Sequence, residues 1–172
     1  MGTETFPFAL GYRDGMTGEE RVQNLLSFPL EDSSGPPGHS FAANSLSRRF
    51  GAVATGMGIY ELPPGNAAWP YHFETTEEEW LIVLDGELTL RTPEGEAVLR
   101  AGDVACFPAG AAGGHAVRNH TEAPVRYAMP SAEARYGGAT VYPDSGKVRV
   151  AGPGFDHRGW LGEPAGYWEG EQ

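Results

Sequence analysis

An all-β fold is what the sequence predicts, and three observations carry that expectation. Twenty-five glycines and fourteen prolines in 172 residues interrupt the chain too often for long helices. Between about residues 51 and 130, short apolar runs alternate with turn-forming clusters at roughly the 8–12-residue spacing of an antiparallel sandwich or barrel. No repeat and no low-complexity linker divides the chain, and 18.4 kDa is enough to bury a core without disulfides. One domain is therefore expected over residues 1–172, with a barrel core at 51–130 between extensions at 1–50 and 131–172.

In the first extension, Thr17 and Glu20 have the spacing of a capping box, and Val22, Leu25 and Leu26 follow as one apolar stripe. A short amphipathic helix is expected there, packed on the outside of the domain. The segment "EDSSGPPGHSFAANS" reads as loop, with His39 exposed and idle. "GAVATGMGIYELPPG" reads as a strand ending at a proline turn. "WLIVLDGELTLRTPEGEAVLRAGD" reads as three strands, with a hairpin tip at Pro93 to Glu96. "VACFPAG", "GHAVRNH" and "PVRYAMPS" supply three more. In the second extension Trp160, Tyr167 and Trp168 imply a tail that packs on the body.

The formal charge of −11 and a pI near 4.8 exclude DNA, RNA and anionic membrane surfaces as natural partners, because the phosphate term would be repulsive. No apolar run is long enough to cross a bilayer, and the first residues lack the basic flank and apolar segment of a signal peptide, so a cytoplasmic protein is expected. Cys106 is the single cysteine and, within "VACFPAG", reads as a small buried hydrophobe.

The chemistry concentrates in "WPYHFETTEEEWLIVL", residues 69–84. Residues two apart on a strand share a face, so His72 pairs with Glu74, and Glu79 with Leu81 and Val83. Trp80, Ile82 and Leu84 form an opposite face that is also apolar, as in a barrel wall covered from outside. A carboxylate at Glu79 then lies at or inside a closed space and needs a cation or donors. Downstream, His115, Val117 and Asn119 alternate onto one face, which leaves Arg118 and His120 facing outward. Glu77 and Glu78 fall in a turn and read as solvated, and His157 reads as a packing or surface residue.

These residues resemble the two motifs of the cupin superfamily, G-x5-H-x-H-x3,4-E-x6-G and G-x5-P-x-G-x2-H-x3-N. His72, Glu79 and Gly86 keep the spacing of the first, and Gly102, Pro108, Gly110, His115 and Asn119 follow the second. Together they cover roughly residues 65–119, with a short intermotif segment at 87–101 like that of small single-domain bacterial cupins of undefined function. Three departures stand out. Gly65 precedes His72 by six residues instead of five, "AAGG" lengthens the loop before His115, and Glu74 occupies the place of the second histidine.

The resemblance implies a cupin-type jelly-roll β-barrel and a divalent metal held by His72, Glu74, Glu79 and His115. Two imidazoles and two carboxylates suit Fe(II), Mn(II) or Ni(II) in an open octahedral site, with Zn(II) also accommodated. Without Glu74 the remaining set still has two histidines and one carboxylate. The alternative is that Glu74 marks a lost metal and a barrel that only binds a ligand. Iron would fit a dioxygenase, and a Lewis-acid metal an isomerase or lyase acting on a hydroxy-carbonyl compound. Storage or sensing of a small molecule is the reading from another class, and the catalytic residues stay unassigned. A sugar-phosphate isomerase would need interior basic groups, and Arg118 has the wrong parity while Lys147 is the single lysine. "PAGAAGG" lacks the Lys-Ser or Lys-Thr of a phosphate loop, and no G-x-S-x-G elbow or His-Glu-x-x-His pattern occurs. A homodimer with a small-molecule substrate is the expected assembly.

Overall fold

The computed structural model describes residues 21–132, 137–167, 169 and 170. Strands β1 (Glu31–Ser34) and β2 (Ser40–Ser45) lead into helix α1 (Leu46–Phe50), followed by β3 (Thr55–Leu62) and the two-residue β4 (Phe73–Glu74). The middle of the chain forms β5 (Glu79–Asp85), β6 (Glu87–Thr92), β7 (Gly95–Arg100), β8 (Val104–Phe107), β9 (Ala116–Arg118) and β10 (Val125–Ala132). Three strands close it: β11 (Gly138–Tyr142), β12 (Lys147–Gly152) and β13 (Phe155–Trp160).

All pairings are antiparallel. A six-stranded sheet runs β1-β2-β3-β10-β5-β8, a three-stranded sheet runs β7-β6-β9, and a four-stranded sheet runs β13-β12-β11-β4. Single bridges, His72 to His115 and Ala67 to Arg118, stitch the segments before β4 to β9. The result is the all-β antiparallel architecture expected from the strand spacing, in the jelly-roll form that the resemblance implies.

Side-chain alternation sorts the core into two layers. Leu62, Leu81, Val83, Leu88, Phe107, Val117, Val125 and Tyr127 point inward and are buried. Ile59 and Ala128 point the other way and, with the flanking Ile82 and Leu84, are covered by Phe28 and Leu46 of the N-terminal extension. The two-sided covering of β5 is thus met by the chain's own extension. Each fully buried leucine or valine contributes about 1.5–3 kcal/mol, so both layers matter. Turns are sharp where glycine permits: Gly86, between β5 and β6, has φ +82°, and a side chain there would crowd the Pro124 carbonyl and Val125.

Several expectations are corrected. Thr17 and Glu20 lie outside the described residues, but from Val22 onward the expected helix is not formed. Asn24 instead accepts a hydrogen bond from the Leu26 amide through Oδ1, an Asx turn that competes with helix. Val22 and Leu26 stay exposed while Leu25 packs on the outer layer. The helix of this region is α1, capped by Ser45 at its start and by Gly51 in left-handed conformation at its end. The segment expected as loop contains the β1–β2 hairpin, because Phe41 and Ala43 reach the inner core. Cys106 is exposed, since burying its neighbour Phe107 turns the thiol to the other face of β8. The C-terminal extension attaches through the pairing of β11 with β4, not through its aromatics: Trp160 is 76% and Tyr167 86% exposed, and Trp168 lies outside the described residues.

Asn119, fully buried, ties three segments together. Its amide nitrogen donates to the carbonyls of Leu62 and Ala123, and its oxygen accepts from the Thr121 amide and hydroxyl. Asn119→Ala leaves those groups unpaired at about 1–3 kcal/mol each, so the denaturant midpoint should fall sharply, whereas the same change at exposed His120 should leave it within error.

Candidate metal centre

His72 and His115 exchange both backbone hydrogen bonds: the His72 amide donates to the His115 carbonyl at 3.1 Å, and the His115 amide to the His72 carbonyl at 2.8 Å. Directly opposed residues of this kind put their side chains on one face. The two imidazole rings accordingly lie 4.7 Å apart, both buried. Each is also fixed through its inner nitrogen. Nδ1 of His72 is 2.8 Å from the Pro70 carbonyl and Nδ1 of His115 is 2.9 Å from the Gly113 carbonyl. A carbonyl can only accept, so Nδ1 carries the proton in both rings and each neutral ring keeps its lone pair on Nε2.

The longer loop before His115 supplies that carbonyl. "AAGG" forms a single 3₁₀ turn at Ala111–Gly113. A side chain at Gly113 would overlap the Pro108 carbonyl, and one at Gly114 the Tyr71 hydroxyl. Phe107 then stacks flat on His115, with ring centroids 3.9 Å apart.

From β5, Glu79 reaches the same point. Its Oε2 lies 3.6 Å from Nε2 of His115, and one ligand atom from each of His72, Glu79 and His115 falls within 4.8 Å of the others. Neither Glu79 Oε2 nor His115 Nε2 has a hydrogen-bond partner among the described residues, although both are buried. Burial, then the charge of His72, pushes His115 down to about 4, and burial lowers His72 as well. Burial, then Glu74 and Glu77, pushes Glu79 up to about 7. With the imidazole neutral, the 3.6 Å contact is not an ion pair. Two bare nitrogens and a carboxylate oxygen converging without donors form a set that fits a divalent cation.

Of the four residues expected to converge, the structure brings these three together and leaves Glu74 outside the group. Glu74 stands on the wall, where the Thr140 hydroxyl donates to its carboxylate at 2.8 and 3.0 Å. Glu78 is exposed and accepts from the Trp80 indole, whereas Glu77 is half-buried and contributes to the field on Glu79. His120 faces outward and hydrogen-bonds Thr89 at 2.9 Å.

Other wall residues did not emerge from the sequence. Tyr142 of β11 lies over His72 at 5.8 Å. Tyr60 of β3 is held protonated, its hydroxyl pushed up to about 12 by burial and by Glu79. The Tyr60 ring needs the bare backbone of Gly58 beneath it, and stacks at 5.2 Å on Tyr127, whose fully buried hydroxyl also has no hydrogen-bond partner among the described residues. On β12, Lys147 sits 5.4 Å from the centre of the Tyr142 ring, and Arg149 is gripped by Asp156 through Nε and Nη2, both at 3.0 Å. The alternation in "KVRV" is the signal that would have placed Lys147 and Arg149 on one face.

The jelly-roll fold and the convergence of two histidines and a glutamate define a class, β jelly rolls with a ligand set that could hold a metal ion. Comparison with known proteins agrees with the fold: the family model described as the cupin domain matches residues 58–130. No curated protein sequence matches the chain. Among solved structures, a sugar phosphate isomerase from a cupin superfamily of Silicibacter pomeroyi is similar at TM-score 0.72 and 23% identity, over 85% of this chain and 97% of that one. An Acidithiobacillus ferrooxidans protein provisionally described as a sugar phosphate isomerase is similar at TM-score 0.73 and 21% identity, over 81% and 92%. A Thermotoga maritima protein described as a predicted oxalate decarboxylase is similar at TM-score 0.55 and 20% identity, over 64% and 97%.

The opposite shifts give the metal-free protein a specific pH response. Glu79, raised from 4.5 to about 7, loses stabilising influence as pH rises through that window, while His115, lowered from 6.5 to about 4, loses it as pH falls. The two slopes oppose each other between pH 4.5 and 6.5. In metal-free Glu79→Gln only the histidine slope remains, so unfolding free energy should climb by about 3 kcal/mol from pH 4 to 6.5, measured by urea titration. A flat profile in that variant would refute the assignment.

Proposed function

We propose that the protein is a metal-dependent enzyme of the isomerase or lyase type, acting on a small hydroxy-carbonyl compound, with His72, Glu79 and His115 holding the ion. The carrying observation is the pair of buried, unpartnered ligand atoms, Glu79 Oε2 and His115 Nε2. Leaving them empty-handed costs more than an apolar interior would, and a cation removes that cost. A divalent ion such as iron, manganese, nickel or zinc, when bound, would supply Lewis acidity toward a substrate oxygen. Three protein ligands leave coordination positions for substrate.

The wall residues supply the proton chemistry. Isomerisation of a hydroxy-carbonyl compound moves a proton between neighbouring carbons, which needs an acceptor and a donor. Glu74, oriented by Thr140, serves as the acceptor, and Tyr60, kept protonated close to Glu79, as the donor. Phe107 and Tyr142 flank the imidazoles with aromatic surface that displaces water. The likeness to the two proteins described as sugar phosphate isomerases runs over four-fifths or more of this chain, against 64% for the one described as a decarboxylase. That extent favours isomerase over decarboxylase chemistry.

Metal analysis of untagged protein tests the reading. Wild type and His120→Ala should each retain about one equivalent after reconstitution, and His115→Ala almost none. Glu74→Gln should keep the metal but lose about 10²-fold in turnover on a panel of hydroxy-aldehydes and hydroxy-ketones. Oxygen consumption on chelating substrates, or equal metal retention by His115→Ala and wild type, would overturn the proposal.

A further inference from the structure

The cations beside the centre sit in a pattern that the metal site does not explain. In the register of the C-terminal sheet, Glu74 lies opposite Thr140, Thr140 opposite Arg149, and Arg149 opposite Arg158; one step along, Tyr142 lies opposite Lys147. Opposed residues share a face, so Lys147, Arg149 and Arg158 are on the same face as Tyr142, whose ring lies over His72. At about 4.8 Å per strand, Arg149 is one strand and Arg158 two strands beyond Thr140. The row leads away from the metal centre by the length of a small molecule.

Two arginines directly opposite each other repel, and a third cation stands beside them. Asp156 grips Arg149 side-on through Nε and Nη2, leaving Nη1 without a hydrogen bond among the described residues, and its charge is felt more weakly by Arg158, so one carboxylate faces three cations. Lys147 and Arg158 make no ion pair among the described residues, whereas Arg91, Arg100 and Arg126 each have an acidic partner. Arg149 and Arg158 both act on the Tyr142 hydroxyl, so their charge extends to the wall of the site. In a chain of formal charge −11, an anion meets repulsion over most of the surface, and this face offers it a positive field.

We propose that Lys147, Arg149 and Arg158 bind the phosphate of a phosphorylated substrate whose hydroxy-carbonyl end reaches His72, Glu79 and His115. The assignment rests on the reading of that centre as the reaction site. A phosphate monoester, at nearly two negative charges, matches Lys147, Arg158 and the free edge of Arg149, three cations facing one carboxylate, better than a single carboxylate does. The basic groups that the sequence offered neither at Arg118 nor at a second lysine come from the C-terminal sheet.

The test titrates inorganic phosphate calorimetrically into wild type, Lys147→Gln/Arg158→Gln, Lys147→Arg/Arg158→Lys and His115→Ala, with malonate in parallel. Phosphate should bind wild type saturably, weaken at least tenfold in the double glutamine variant, and recover in the charge-conserving variant. His115→Ala should bind as wild type does, because the cationic face lies outside the metal centre. Equal binding by wild type and the double glutamine variant would overturn the proposal. So would loss of phosphate binding in His115→Ala, which would make phosphate a metal ligand, and so would malonate binding as tightly as phosphate. Should wild type take up no metal yet bind phosphate through Lys147 and Arg158, the anion site stands and the reading of the centre alone fails.

Discussion

The reciprocal backbone pair between His72 and His115 is the contact on which the rest of the site depends. β4 has two residues and β9 has three, too few to fix a register by themselves. The bridge supplies it, coupling the sheet that carries the C-terminal extension to the one that carries the hairpin of β6 and β7. Because opposed residues share a face, one pair of hydrogen bonds both joins the sheets and brings two imidazoles to one point. The inner nitrogens are then taken by carbonyls two residues upstream, Pro70 and Gly113, so neither ring can turn its lone pair elsewhere.

Given that frame, the barrel resolves its electrostatics by suppressing charge. Burial drives both imidazoles neutral, His115 with a further push from His72, and burial followed by the charges of Glu74 and Glu77 drives Glu79 toward its protonated form. A cation at the convergence point would reverse the balance for Glu79, making ionisation favourable where it is now opposed. The exposed pairs are of another kind. Arg91 with Asp144, and Arg100 with Glu87, lie in solvent and contribute little to stability. Arg126 differs, since its guanidinium also donates to the Leu25 and Phe28 carbonyls and so pins the N-terminal extension against the outer core.

Parity was the part of the fold that could be read from the sequence, and it was legible wherever polar and apolar residues alternate. Glu79, Leu81 and Val83, and His115, Val117 and Asn119, fall on the faces that counting by two assigns them. Where a strand is apolar throughout, counting cannot choose a face. "VACF" has no polar marker, and Cys106 turned out on the exposed side because the larger Phe107 claims the interior. The β1–β2 hairpin was hidden by a serine- and proline-rich stretch whose two inward residues, Phe41 and Ala43, are surrounded by turn formers. The C-terminal sheet was hidden by its aromatics. Trp160 drew attention as a packing residue, while the anchoring came from backbone pairing with β4, which no side chain signals. Glu74 was placed correctly on the face of His72, but its partner Thr140 lies 66 residues away, beyond any local pattern.

The C-terminal sheet therefore has a double relation to the site. By pairing with β4 it restrains the strand that follows His72, and Thr140 takes hold of the carboxylate that stands where the family pattern has a second histidine. A histidine at position 74 would offer the Thr140 hydroxyl a ring nitrogen in place of two oxygens, and would remove one negative charge from the field on His72 and Glu79. Glutamate instead accepts the hydroxyl with both oxygens and stays on the wall, among groups that belong to the extension: Thr140, Tyr142 and Arg149. The departure at Glu74 and the presence of β11 to β13 are in this sense one feature. The barrel supplies converging ligands, and the added sheet supplies the polar wall that decides what can lie beside them.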